Sequence, residues 1–235
     1  PGQSTFVRGL PTGGRVNILG SGTMLLSVNY YDSEGRVIQS KSGNHLTGTD
    51  IVNNTYSFTG ELLTSNRSHT SSNGSVTVVI RNEYDAWGRK KNTFEKIGSG
   101  TEVKLSDLEY NETGQLKQKS LHDSLLVTAF AYNPRGWLKT SSSPQFAMQL
   151  NYQDGTTPQY NGNISNQLWG TPGSLSNTFT YGYDKLNRLT SGSSTGTSMS
   201  ETVSYDHMGN ILTLNRDGSG ASTYSYYNDN RLKSI

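Results

Sequence analysis

Apolar and polar positions alternate along most of this chain, in short runs that each end on a tyrosine. Phe130-Ala131-Tyr132, Tyr181-Gly182-Tyr183, Val203-Ser204-Tyr205 and Tyr224-Ser225-Tyr226 have a period of two, with aromatic and β-branched residues on the recurring side. That period belongs to a half-buried strand. A few residues later the alternation resumes, as in Asn210-Ile211-Leu212-Thr213-Leu214. Helix-period stretches are almost absent; "SDLEYNE" is too short and reads as strand and turn.

Each tyrosine opens a seven-residue phrase. Clear copies are "YDSEGRV" at 31–37, "YDAWGRK" at 84–90, "YNETGQL" at 110–116, "YNPRGWL" at 132–138, "YDKLNRL" at 183–189 and "YDHMGNI" at 205–211. "YSFTGEL" at 56–62, "GNI" at Gly162 and "YYNDNRL" at 226–232 are degenerate copies. The fifth positions are residues 35, 60, 88, 114, 136, 162, 187, 209 and 230, spaced 21 to 28 apart. Asp or Asn at position two can accept a backbone hydrogen bond two residues on. Gly or Asn at position five adopts positive φ cheaply. The phrase is therefore the tip of a β-hairpin with a four- or five-residue turn, the tyrosine closing one strand and the Arg-Leu pair opening the next. Between phrases, "KSGNH", "SNGS", "GSGT", "SGSSTG" and "RDGSG" supply the opposite turns. Residues 141–178, with Pro144, Pro158 and Pro172, form an irregular excursion inside a single domain spanning 1–235.

Composition narrows this picture. Apolar residues are 31 % of the 235, and the mean hydropathy is −0.64. Fourteen tyrosines supply much of the apolar bulk, so a thick aliphatic core is not expected. Twenty basic and 18 acidic residues leave a net charge of +2, too balanced to capture nucleic acid. No stretch approaches the roughly 18 apolar residues of a membrane-spanning helix. There is no cysteine. The first fourteen residues lack the regions of a signal peptide.

The phrases resemble the consensus of the YD-repeat, or Rhs-repeat, family: a Tyr-Asp pair, two variable residues, Gly, Arg and an aliphatic residue. The match runs from about Tyr31 to Ile235. The carrying residues are Tyr31, Asp32, Gly35 and Arg36; Tyr84, Asp85, Gly88 and Arg89; Tyr110, Asn111 and Gly114; Tyr132, Asn133 and Gly136; Tyr183, Asp184, Asn187 and Arg188; Tyr205, Asp206 and Gly209; and Tyr226, Asn230 and Arg231. The resemblance implies consecutive hairpins in an open, curved or spiralling sheet, part of a β-shell that encloses or presents a C-terminal toxin. It also implies a secreted or cell-surface bacterial protein, with phrase variants similar to those of Bacteroidetes-type surface proteins. The expected partner is the rest of a larger parent chain. The family's aspartate-based self-cleavage core has no counterpart here, because the sequence contains no Asp-Pro pair.

Candidate chemistry is sparse. "GSSTG" at 192–196 fits a nucleophile elbow, but that device needs a strand before it and a helix after it; the flanks read as a serine-rich loop and a strand. His45, His69, His122 and His207 lack metal-site spacing. The phrase aspartates offer too few oxygens per turn for calcium. No catalytic, cofactor or metal residue is therefore assigned. The sequons at Asn53, Asn66, Asn73, Asn111 and Asn163 are what chance gives in a chain this rich in Ser, Thr and Asn. The leading reading is a non-catalytic scaffold segment. The alternative is a carbohydrate- or protein-binding module, with Trp87 and Trp137 as ligand-facing residues. Nine repeats give about eighteen strands, covering roughly 2,000 Å² of the about 6,000 Å² that a shell around a small domain needs. The segment by itself is then expected to leave sheet edges open to self-association.

Overall fold

The computed structural model describes every residue except Pro1 and Phe6. Strand accounts for more than half of the chain, and no helix occurs among the described residues. The first ten strands are β1 (Gly13–Asn17), β2 (Met24–Tyr31), β3 (Val37–Gly43), β4 (Thr49–Tyr56), β5 (Leu62–Ser71), β6 (Gly74–Tyr84), β7 (Lys90–Ile97), β8 (Val103–Tyr110), β9 (Leu116–Leu121) and β10 (Leu126–Tyr132). The rest are β11 (Leu138–Ser142), β12 (Ala147–Asn151), β13 (Asn166–Thr171), β14 (Ser174–Tyr183), β15 (Leu189–Thr195), β16 (Glu201–Tyr205), β17 (Ile211–Arg216), β18 (Ala221–Thr223), β19 (Ser225–Tyr226) and β20 (Leu232–Ser234). Eighteen are members of an antiparallel sheet, and β19 with β20 forms a two-stranded hairpin. The fold is thus all-β, built of consecutive antiparallel hairpins.

The residues gather into two compact units: Pro1–Glu109 with Lys119–Leu125, and Tyr110–Gln118 with Leu126–Ile235. In the first, β1 to β8 pair in chain order. In the second, β10 to β18 do the same.

Alternation sets the faces. In the second unit, register aligns Phe130, Ser141, Met148, Trp169 and Asn177 in one cross-strand row. The adjacent row, on the opposite face, is Ala131, Thr140, Gln149, Leu168 and Thr178. One face is therefore richer in large apolar side chains and the other in small polar ones, as expected of period-two strands. Burial is shallow. Among the described residues, the buried apolar side chains are Tyr31, Ala147, Leu150 and Tyr152 alone. Low hydropathy and scant burial express the same condition: the sheet is held by its ladder and its turns more than by a core.

The turns opposite the phrases differ in part from expectation. Lys41, Ser42 and Gly43 continue β3, and the turn begins at Asn44. Asn44 Oδ1 there accepts the N–H groups of Leu46 (3.1 Å) and Gly48 (2.9 Å). The β9–β10 turn uses three successive left-handed residues, His122, Asp123 and Ser124, without a glycine. Within 141–178 the irregular part is confined to residues 152–165, between β12 and β13.

Candidate functional site at the phrase turns

Each phrase closes the same way. Position one pairs with position seven: Tyr31 with Val37, Tyr84 with Lys90, Tyr132 with Leu138, Tyr183 with Leu189, Tyr205 with Ile211 and Tyr226 with Leu232. Register shifts at each of these tyrosines, so each of these phrases carries a bulge. Five residues are left in the turn. The arginine at position six lies in that turn, and the strand opens at position seven. The residue at position two donates its N–H to the carbonyl of position six, at 3.0 Å for Asp32–Arg36 and 2.9 Å for Asp85–Arg89. Position five donates back to position two, at 3.0 Å for both Gly88–Asp85 and Asn187–Asp184.

The side chain at position two completes the turn. Asp32 Oδ1 accepts the N–H groups of Glu34 (3.0 Å) and Arg36 (2.9 Å), while Oδ2 takes Arg36 Nε at 2.7 Å. Asp85 and Asp184 repeat this with Arg89 and Arg188, whose Nε lie 2.7 and 2.6 Å away. Asp206 holds the Asn210 amide at 2.8 Å. Asn111 and Asn133 keep the Oδ1 role, accepting Gln115 N–H at 2.8 Å and Trp137 N–H at 3.0 Å, and Asn111 Nδ2 donates to Gln115 Oε1 at 3.1 Å. Ser57 does the same with its hydroxyl, toward Gly60 and Glu61. In the last phrase position two is Tyr227, and Arg231 turns to Asp229 instead, at 2.6 Å.

The carboxyls respond to this setting. Burial pushes Asp32 up, but the Arg36 N–H, its guanidinium and the Glu34 N–H together hold it below the ordinary value. Asp85 has the same opposition with Arg89 and Trp87 and the same outcome. For Asp184 the Arg188 N–H is the largest influence, and for Asp206 the Asn210 side-chain amide; both carboxyls are lowered.

Position five has positive φ in all nine copies: Gly35 (77°), Gly60 (100°), Gly88 (75°), Gly114 (85°), Gly136 (82°), Gly162 (101°), Asn187 (62°), Gly209 (92°) and Asn230 (63°). That conformation is why only Gly and Asn occur there.

The tyrosine reaches beyond its own turn. Its hydroxyl donates to the position-seven carbonyl of the preceding phrase: Tyr56 to Val37 (2.9 Å), Tyr84 to Leu62 (3.0 Å) and Tyr132 to Leu116 (2.9 Å). Tyr183 to Ile164 (2.9 Å), Tyr205 to Leu189 (2.7 Å) and Tyr226 to Ile211 (2.9 Å) follow the same rule. The bulge leaves that carbonyl outside the strand ladder, and an unpaired backbone acceptor is costly. Position six also reaches forward. Arg36 Nη1 donates to Ser57 O (3.1 Å) and Arg188 Nη1 to Asp206 O (2.9 Å). Their guanidiniums lie over the rings of Tyr56 (5.1 Å) and Tyr205 (4.6 Å). Within each unit, successive phrases are thereby clamped to one another.

Several contributors escaped the sequence reading. Tyr152 is the first residue of the Gly162 copy: its hydroxyl donates to Leu138 O at 2.8 Å. Six extra residues separate it from its turn. Trp137 stands at position six and packs on Tyr152, 5.0 Å between ring centroids. It is half-buried and occupies the place arginine takes elsewhere. Trp87 is different: it is 79 % exposed at its tip, with Arg89 over its ring. In the first unit Asn29, Asn54 and Asn82, two residues before a phrase tyrosine, donate to the same carbonyl as that tyrosine. The first phrase is covered by the preceding segment: Tyr31 O–H donates to Pro11 O (2.6 Å), and Asp32 is 1 % exposed.

Residues 192–196 lie mostly in β15, and β16 follows, not a helix. Ser194 exchanges hydrogen bonds with Thr197, Met199 and Ser200. Asp50 and His69 form a pair at 2.6 Å. Among the described residues no group of three or more His, Asp or Glu is placed to hold a metal ion.

No protein-family model matches the sequence, and no curated protein matches it. Solved structures do. A Photorhabdus luminescens Tc holotoxin pore carrying a TccC3-D651A mutation aligns with a TM-score of 0.68 at 17 % identity, over 89 % of this chain and 12 % of that one. TcdB2-TccC3 without its hypervariable C-terminal region aligns at 0.57 and 13 % identity, over 94 % and 16 %. TcdB2-TccC3-Cdc42 aligns at 0.54 and 13 %, over 90 % and 15 %. The chain thus spans about an eighth to a sixth of the chains it matches, and it has the fold of part of the YD-repeat shell of these Tc toxin components.

Proposed function

We propose that this chain is a structural segment of a secreted or cell-surface bacterial YD-repeat protein, contributing hairpins to a β-shell that encloses or presents a C-terminal domain such as a toxin. The observation that carries the reading is the clamp between phrases. Positions two and five hold each turn closed, while the tyrosine hydroxyl and the position-six arginine hold one turn to the next. The most recurrent residues are therefore engaged in building. The likeness to part of much larger Tc toxin chains supports the same reading.

The test is to express the segment with the coding sequence that naturally flanks it and image the product by electron microscopy. A closed wall with density inside is expected. A product with no enclosed volume, or a gene with no further repeats beside this segment, overturns the shell role.

A further inference from the structure

Position six is not an arginine or a tryptophan in every phrase: it is Glu61, Gln115, Asn163 and Asn210 in four of them. Arg36 covers Tyr56, Trp137 covers Tyr152 and Arg188 covers Tyr205. At the junction between the phrases at 110–116 and 132–138, position six is Gln115. Its amide reaches Gly136 O at 2.8 Å, and no guanidinium or ring lies over Tyr132 among the described residues. The Asn133 carbonyl, at position two, accepts only the Gly136 N–H (2.9 Å) among the described residues; at the Arg36 and Arg188 junctions the equivalent carbonyl takes a second donor. A cavity of about 660 Å³ lies at this junction, lined by Asn111, Thr113, Gln115, Lys117, Phe130 and Tyr132 among others. That volume lies within the range of small-molecule sites.

The lining defines a ligand. Two aromatic rings offer apolar faces. Asn111, Thr113 and Gln115 bring amides and a hydroxyl; they bond one another, Asn111 Nδ2 to Gln115 Oε1 at 3.1 Å and Thr113 Oγ1 to Asn111 Oδ1 at 2.8 Å, and each amide nitrogen keeps a second N–H to donate. The Asn133 carbonyl wants a donor. Lys117 and Arg135 line the slot and no carboxylate does; Glu112 lies with Lys117 along the adjoining recess, and Lys117 has no ion pair among the described residues. A cationic ligand would meet two like charges. We infer that this slot binds a carboxylated carbohydrate. A sugar ring lies against Tyr132, its hydroxyls meet the amides and the Asn133 carbonyl, and its carboxylate faces Lys117. The inference does not depend on the shell role, since it rests on the slot's own lining.

The test uses the intact chain and amide-resolved NMR titration with tetragalacturonate, against maltotetraose as the neutral sugar. Saturable shifts at Gln115, Lys117 and residues 132–136 are expected with the acidic sugar. Asn111→Asp with Gln115→Arg should install an arginine clamp, raising Tm while abolishing those shifts. Lys117→Gln should weaken the acidic sugar by about two- to fivefold, as loss of one exposed charge pair does, and leave the neutral sugar unchanged. Absence of saturable binding, equal binding of the two sugars, or binding retained by the clamped variant each overturns the inference.

Discussion

At the scale of the residue, the phrase is a set of hydrogen bonds that can be removed one at a time. Tyr205 donates to Leu189 O at 2.7 Å and also lies beneath Arg188. Tyr205→Phe keeps the ring and strands the carbonyl, so a loss of about 1 kcal/mol is expected in denaturant unfolding. An unchanged midpoint would show that water replaces the hydroxyl at no cost. Gly209 has φ of 92°, so Gly209→Ala should cost roughly 1 kcal/mol or more. Acid sensitivity follows from Asp32, Asp85, Asp184 and Asp206, all held below the ordinary aspartate value of 3.8. Lowered carboxyls bind fewer protons folded than unfolded, so their stabilisation is complete above that value. It is lost as pH falls through the lower folded values. Asp184→Asn keeps the Oδ1 acceptor, as Asn111 and Asn133 do, but gives up the charge paired with Arg188. Its Tm should therefore fall less steeply with acid than that of the parent; an equally steep fall would assign the acid response to other groups.

At the scale of the element, the hairpin tip was readable because everything it needs lies within seven residues. Asx acceptance, positive φ and strand alternation are local properties, and the turn follows from them. The tyrosine's acceptor was not readable, because Leu189 stands sixteen residues before Tyr205 and only register brings them together. Tyr152 was missed for a related reason: its turn is interrupted, so the spacing that identifies the other copies fails. The β9–β10 turn was missed because His122, Asp123 and Ser124 adopt left-handed backbone without a glycine to mark it. The interruption itself can be tested. Deleting residues 153–158 joins Tyr152 to "QYNGNI" and restores the seven-residue spacing. It also removes the N–H groups of Thr156 and Thr157, which bond Asn166 Oδ1 (3.2 Å) and Ser165 Oγ (3.0 Å), and the Lys139–Asp154 pair. The variant should fold with the same strand content by circular dichroism but lower stability. Loss of the strand spectrum would mean the excursion is integral to the fold and not an insertion into a phrase.

At the scale of the whole molecule, what distinguishes this chain is how little it buries and how regularly neighbours hold neighbours. Chains of this kind are stabilised by each repeat and its contact with the next, so stability should vary along the sequence. In the first unit, β4–β5 and β5–β6 each align eight residue pairs. In the second unit, β17–β18 aligns three and β19–β20 two, with every residue of β18 and β20 exposed. The composition foretold the thin core, since 31 % apolar residues cannot fill a thick one; it could not foretell which ladders are long, because that depends on register. Hydrogen exchange should therefore be graded. Amides of β4, β5 and β6 should exchange slowest, and those of β18 to β20 within the fastest class, with the turn amides of Tyr227 and Asn230 fast even though each has a backbone partner at 2.9 Å. Measured protection that is uniform across β4 to β20 would mean the chain opens as one cooperative body, and the row of clamps would then transmit stability further than from each phrase to the next.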